Sequence, residues 1–231
     1  MQAGVNAAAA VVHVIDDDDS FRRSMTRMLM AAGFDTASYS CAAEFLIAYA
    51  PGGNACILLD ISMPGPSGID LLKALLAHDW APPVIFVTGR DDVITTIDVM
   101  KGGAFSYLLK PIGSETVLLA VRAALLADER RRTLQHDLTR LRARFETLTP
   151  AERAIFYGAV NNRLNKQLAA ELGVCERTIK AQRARMFEKL QIHTVPELVR
   201  AAKTLHDAEC IDPVKPTART WFSNGRGLQS A

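Results

Sequence analysis

The chain has 231 residues, 49% of them hydrophobic and 23% charged, which is the composition of an ordinary globular protein. No apolar stretch reaches the ~18–20 residues that span a bilayer, and the Ala/Val-rich start lacks a basic n-region and runs straight into Asp16-Asp17-Asp18-Asp19, which excludes a spanning helix and argues against a secretory signal. The net charge of +2 conceals a division, because residues 1–112 carry a net −5 and the remainder a net +7; two domains with different partners are expected, the basic one compatible with nucleic acid.

In chain order, Val11–Ile15 is a β-branched run and predicts a buried strand. Ser20–Ala32 places Phe21, Met25, Met28 and Leu29 at helical spacing, with Gly33 as the residue that ends the helix. Phe34–Ser38 predicts a second strand, Ala42–Ala50 a helix stopped by Pro51-Gly52-Gly53, and Cys56–Leu59 a third strand. A helix over Ser67–His78, a strand over Val84–Val87, a helix over Val93–Lys101 stopped by Gly102-Gly103, and a strand over Phe105–Leu109 follow. Ser114–Leu126 closes the series as a helix with Ser114 in the N-cap position. The regular alternation predicts an α/β fold, a five-stranded doubly wound parallel sheet. Ligands of such sheets bind beyond the carboxyl ends of the strands, where Asp16, Asp17, Asp60, Thr88 and Lys110 all fall.

From Asp128 the last helix continues. Arg130-Arg131-Arg132 precede a 4-3-4-3 spacing of Leu134, Leu138, Leu141, Phe145 and Leu148, which suits either a seam pairing two chains or packing on the chain's own domains. Residues 149–205 read as all-helical. Pro150–Val160 has Thr149 as N-cap and Pro150 at N1, Asn165–Leu172 ends at Gly173, Arg177–Leu190 is basic, and Pro196–Leu205 completes the set. A short helix, a glycine turn and a basic second helix form the helix-turn-helix pattern. The tail from Asp207 has no period and is expected to be disordered, with Trp221-Phe222 able to dock. Cys41, Cys56, Cys175 and Cys210 show no CxxC spacing and read as reduced thiols of a cytosolic protein.

Taken together, Asp16-Asp17, Asp60 followed by Met63-Pro64 and Gly68, Thr88-Gly89, Tyr107 and Lys110-Pro111 resemble, over residues 11–125, the receiver domain of two-component response regulators. The resemblance implies that Asp60 accepts a phosphoryl group from a sensor histidine kinase. It also implies that Asp17, Asp60 and the carbonyl of Ser62 hold Mg²⁺ (or Mn²⁺), with Asp16 acting through metal-bound water. Thr88 and Lys110 would meet the phosphoryl oxygens, Tyr107 would act as the switch, and the Lys110-Pro111 peptide would be cis. The chemistry is consistent with this: a carboxylate needs no deprotonation at neutral pH, and Mg²⁺ favours hard oxygen ligands and offsets clustered negative charge. Asp18 and Asp19 read instead as charges at a helix N-terminus, and Arg90 as a solvated loop residue, with tuning of phosphoryl loss as its alternative role. Aspartyl phosphatases of the haloacid dehalogenase type carry a second Asp two residues after the nucleophile; here that position is Ser62, so no enzyme turning over an external substrate is expected, at most self-dephosphorylation.

Leu148-Thr149-Pro150-Ala151-Glu152-Arg153, Asn165-Lys166-Gln167-Leu168-Ala169, Leu172-Gly173-Val174 and Arg177-Thr178-Ile179-Lys180 resemble the LuxR-type helix-turn-helix, which makes the whole similar to response regulators of the FixJ/NarL class. Ile179, Met186 and Leu190 are expected in the core, and Lys166, Arg177, Thr178, Lys180, Ala181 and Arg185 towards DNA. Gln182, Ala184 and the loop Asn161–Leu164 depart from the family pattern and leave the preferred sequence open. The expected organisation is a receiver over 9–126, a helical linker over 127–147, the helix-turn-helix domain over 148–206 and the tail over 207–231. The expected function is a cytoplasmic transcription factor in which phosphorylation of Asp60 favours a homodimer that binds promoter DNA and engages RNA polymerase, with no membrane partner. The alternatives are a DNA binder controlled independently of phosphorylation and a regulator whose output is protein–protein interaction.

Overall fold

The computed structural model describes residues 10–78, 81–89 and 99–211, with side chains described to residue 207. The chain divides into two compact units, one ending at Thr133 and the other starting at Leu134.

The first unit is built on five parallel strands in the order β2-β1-β3-β4-β5: β1 (Val11–Ile15), β2 (Asp35–Tyr39), β3 (Ala55–Leu59), β4 (Val84–Thr88) and β5 (Ser106–Leu109). Their β-branched and leucine-rich runs are continuous because β3 and β4 are buried on both faces. One face is covered by α1 (Asp19–Ala31) and the first part of α4 (Ser114–Glu146), where Met25, Leu29, Val117, Val121 and Ala124 meet Val12, Val14, Leu58 and Ile85. The other carries α2 (Ala42–Ala48) and α3 (Gly68–Leu76), where Phe45, Leu71, Leu72 and Leu75 meet Ile15, Ile57, Leu59 and Phe86. The helix expected over Val93–Lys101 lies outside the described residues up to position 98; residues 99–101 are helical. Arg90 and the Trp221-Phe222 pair also lie outside them.

Local chemistry fixes the element ends. Asp18 is the N-cap of α1, its carboxylate accepting from the amides of Ser20 and Phe21, and Gly33 takes the positive φ of +88° that ends the helix. Ser67 and Asp70 form a capping box at α3. α4 is a single helix of 33 residues whose first helical residue is Ser114, one position inside the expected cap.

The second unit is helical: the end of α4, then α5 (Pro150–Val160), α6 (Asn165–Leu172), α7 (Glu176–Leu190) and α8 (Val195–Ile211), so the last helix runs past the expected Leu205 and residues 207–211 are helical where the tail was expected to be disordered. Its core joins Ile155, Phe156, Leu168, Ile179, Met186, Leu190 and Leu198, and Leu138, Leu141 and Phe145 of α4 pack against it. Leu148 is buried in that core, whereas Leu134 is 71% exposed. Thr149 and Glu152 cap α5 reciprocally, and the Lys189 ammonium donates to Glu152 at 2.6 Å. Among the described residues no helix is long and apolar enough to cross a membrane.

Candidate phosphoryl-acceptor site and nucleic-acid face

The carboxyl ends of β1, β3 and β5 converge. β1 pairs with β3 so that Ile15 lies opposite Leu59, and Asp16 and Asp60 follow these residues. The Asp60 amide donates to the Ile15 carbonyl at 2.9 Å, which ties the two turns together. Both carboxylates are buried, Asp16 at 2% and Asp60 at 6% exposure. Lys110, just after β5, reaches both: its Nζ donates to Asp16 Oδ2 at 2.7 Å and to Asp60 Oδ1 at 3.2 Å. Its backbone amide donates to the Thr88 carbonyl at 2.8 Å, so β4 sets where the lysine leaves the sheet. The Lys110-Pro111 peptide is cis, as the resemblance to receiver domains implies.

The remaining carboxylate oxygens are held by backbone amides. Asp16 Oδ1 accepts from the Asp18 amide at 2.9 Å, and Asp60 Oδ2 from the Ser62 amide at 2.7 Å. Burial pushes the Asp16 carboxyl above the usual carboxylate range, and Lys110 and the Asp18 amide pull it back only in part. Burial pulls the Lys110 ammonium down, but its bonds to Asp16 and Asp60 outweigh that and leave it above the ordinary lysine value. Gly68 opens α3 immediately behind this turn; a Cβ there would lie 2.3 Å from the Asp60 carbonyl oxygen, so only glycine lets the helix approach so closely.

Of the residues predicted from sequence, Asp16, Asp60 and Lys110 form one bonded group. Thr88 is buried at the end of β4, next to β5 in register with Leu109. Tyr107 is half-buried on β5 opposite Phe86 and packs against the core of the α2/α3 face. Asp17 is exposed and stands outside the bonded group, and Ser62 is exposed with its amide on Asp60. Among the described residues no three His, Cys, Asp or Glu side chains gather as a closed metal cluster. The donor set nevertheless suits a hard divalent cation: two buried carboxylates share one ammonium, and the surplus charge is negative. Mg²⁺ binds in this way, through one or two carboxylates plus water and phosphate oxygens rather than an all-protein cage.

Two residues at this site carry no signal in the sequence. The Phe21 ring lies under Lys110, its centroid 3.8 Å from Nζ, yet Phe21 reads in sequence as an apolar position on a helix. The Arg22 Nη1 donates to the Asp16 carbonyl at 2.7 Å, while Asp19, paired with Arg22 and Arg23, remains at the helix start as expected.

In the helical unit, α6 ends at Gly173, whose φ of +65° turns the chain towards α7. Ile179, Met186 and Leu190 are fully buried, which sets the opposite face of α7 outward. Arg177, Lys180, Ala181 and Arg185 are exposed on that helix, Thr178 is half-buried, and Lys166 is exposed near the start of α6. Lys180 pairs with Glu176 at 3.5 Å; the side chains of Arg177, Arg185 and Lys166 have no intramolecular partner among the described residues. Arg183, by contrast, donates to Asn165 Oδ1 at 3.2 Å and links α7 to α6. Cys175 occupies the N-cap of α7 without a side-chain capping bond; its Sγ lies 3.2 Å from Thr178 Oγ1.

Comparison with known proteins agrees with both units. Residues 12–122 match the response regulator receiver domain, and residues 146–202 match the bacterial regulatory proteins of the luxR family. The chain is 37% identical to Nodulation protein W of Bradyrhizobium diazoefficiens over 85% of its length and 86% of the relative's. It is 37% identical to the transcriptional regulatory protein FixJ of Azorhizobium caulinodans, over 83% of this chain and 90% of that one. Among solved structures it is similar to the response regulator StyR, with a TM-score of 0.77 and 34% identity over 85% of this chain and 99% of that one.

Proposed function

The chain belongs to the two-component response regulators that join a receiver to a LuxR-type DNA-binding domain, and on that premise we propose that Asp60 is the phosphoryl acceptor through which a sensor histidine kinase controls promoter binding. The family makes the chain a regulator of transcription, with a histidine kinase on one side and DNA on the other. The observation that carries the Asp60 reading is the Lys110 ammonium bonded to both Asp16 and Asp60 at the carboxyl edge of the sheet.

In the proposed reaction an Asp60 carboxylate oxygen attacks the phosphorus of a phosphohistidine. The P–N bond breaks, the imidazole leaves with the electron pair, and a carboxyl–phosphoryl anhydride forms. Lys110 moves from the carboxylate to a phosphoryl oxygen and stabilises its charge, and the Thr88 hydroxyl donates to another. Asp16, Asp17, Asp60 and the Ser62 carbonyl would hold Mg²⁺ or Mn²⁺, which supplies charge neutralisation for the transferring oxygens. Tyr107 then turns inward as Thr88 shifts towards the phosphoryl group. The product is a switch, with self-dephosphorylation as its only turnover.

For the helical unit we assign Lys166 and Thr178 to phosphate contacts at helix N-termini, and Arg177, Lys180, Ala181 and Arg185 to the groove-facing surface of α7. The domain limits are a receiver over 9–126, a linker over 127–147, the DNA-binding domain over 148–206 and a tail over 207–231. The protein acts in the cytoplasm, dimerises when phosphorylated, and engages RNA polymerase at the promoter.

The test is phosphoryl uptake from acetyl phosphate with Mg²⁺, read as an acyl phosphate on intact protein. Wild type is expected to label and Asp60→Asn to remain unlabelled. Label persisting in Asp60→Asn sinks the assignment. In a second arm, Lys180→Ala should weaken salt-sensitive binding to promoter DNA; no DNA binding by wild type at low salt would favour an output through protein interaction instead.

A further inference from the structure

We propose that Phe21 is a positioning residue for phosphoryl uptake, its ring face holding the Lys110 ammonium between Asp16 and Asp60. The inference rests on the reading of Asp60 as the acceptor.

The placement of the ring follows from the first turn of α1. Asp18 caps the Phe21 amide at 3.2 Å, and Arg22, one residue on, donates to the Asp16 carbonyl at 2.7 Å. The turn is thereby pinned to the end of β1, and the half-buried Phe21 is fixed beneath the acidic site. Lys110 Nζ then has three partners: Asp16 Oδ2 at 2.7 Å, Asp60 Oδ1 at 3.2 Å and the ring centroid at 3.8 Å. An ammonium has three donors. Two carboxylates take two of them, and the negative face of the ring lies well within the ~6 Å over which it attracts a cation.

The ring suits a lysine that must move. A carboxylate in its place would repel an arriving phosphoryl group, and an amide would hold the ammonium along one fixed direction. A ring face attracts over a broad area, so Nζ can leave Asp60 Oδ1 for a phosphoryl oxygen while still above Phe21. The ammonium is only partly exposed, with 22% of the side chain accessible, so the attraction is not dispersed by bulk water.

The experiment measures phosphoryl uptake from acetyl phosphate by full-length wild type, Phe21→Leu, Phe21→Met and Phe21→Tyr, each with its Mg²⁺ half-saturation and thermal midpoint. Leu and Met keep the apolar packing but remove the ring; Tyr keeps the ring. The maximal rate at saturating Mg²⁺ is expected to fall at least about fivefold in the Leu and Met variants. Tyr should stay near wild type, and Mg²⁺ half-saturation should be the same in all four. Equal rates in wild type and the two ringless variants overturn the proposal. So does a loss shared by Tyr, or a loss that tracks weaker Mg²⁺ binding or a lower thermal midpoint, since each marks a structural role. A wild type that takes up no phosphoryl group overturns the acceptor reading together with this one, whereas a working wild type beside equally fast Leu and Met variants overturns this one alone.

Discussion

His13 lies in the middle of β1 and is 8% exposed, enclosed by the rings of Tyr39, Phe45 and Tyr49 at centroid distances of 5.8, 5.4 and 5.3 Å. Its Nδ1 is hydrogen-bonded to the Tyr39 hydroxyl at 3.3 Å. Burial lowers its pKa to about 4, from the 6.5 of an exposed ring, so the folded protein holds it neutral. A depressed pKa contributes stability that is complete above about pH 6.5 and lost as the pH falls towards 4, because the unfolded chain takes up the proton first. Between pH 7.5 and 5 the receiver is expected to lose about 1–2 kcal/mol through this group alone. Urea unfolding of wild type and His13→Phe at both pH values checks it: the variant, which keeps an aromatic ring, should lose less, and parallel losses would remove His13 as the cause. The same residue marks a limit of reading single positions. Asp16, Asp60 and Lys110 were legible because a charged residue closing an apolar run has few structural reasons to be there. His13 within a β-branched run and Phe21 at helical spacing carry no such contradiction, so their surroundings had to come from the fold.

The elements followed closely from periodicity and caps. Strand bounds moved by one residue at most, and Gly33 and Gly173 end their helices at the positive φ that only glycine adopts readily. The seam on α4 was not decidable, because a 4-3 spacing serves a partner chain and a chain's own core equally well; Leu138, Leu141 and Phe145 are used by the helical unit and Leu134 is not. Nor was the role of Asp128, which a polar helical stretch beside three arginines hides. Its carboxylate is fully buried, accepting from the Ala55 amide at 3.1 Å, Arg131 at 2.6 Å and Arg132 at 2.7 Å. It therefore anchors α4 to the start of β3, the strand that carries Asp60 beyond its other end. Removing one partner of a buried charge cluster costs about 3–5 kcal/mol, but both arginines are partly exposed and can regain water. Asp128→Ala is expected to destabilise the receiver by about 2–3 kcal/mol, and Asp128→Asn, which keeps an acceptor for Ala55, by about half of that. Hydrogen exchange of the amides at 126–133 should rise in the same order. Unchanged unfolding midpoints in both variants would contradict an anchoring role.

At the scale of the whole molecule, the proposed function has phosphoryl transfer at one site alter DNA binding by a separate unit, with dimerisation as the proposed link. One surface with Lys166 of α6 and Arg177, Thr178, Lys180 and Arg185 of α7 offers few phosphate contacts. Two such surfaces held together gain about 10²–10⁴ in affinity without any new contact. Shifting each receiver from 1:99 to 99:1 in favour of a dimer-competent conformation takes about 5.5 kcal/mol of differential stabilisation, which acetyl phosphate treatment should supply to wild type and not to Asp60→Asn. A rise in affinity alone does not establish this link, because a monomer whose helical unit became more available would also bind more tightly. The salt dependence separates the two cases. The slope of log K against log salt is about −0.9 per phosphate neutralised, so it counts the phosphates met at once. A dimer on two half-sites should double the slope of a monomer on one, while a newly available monomer should keep it. Titrations of a protein-bound genomic DNA fragment across a salt series, with sedimentation of the same samples, are therefore expected to show a roughly twofold steeper slope and a higher dimer fraction after phosphorylation. Higher affinity at an unchanged slope would place the control within a single chain.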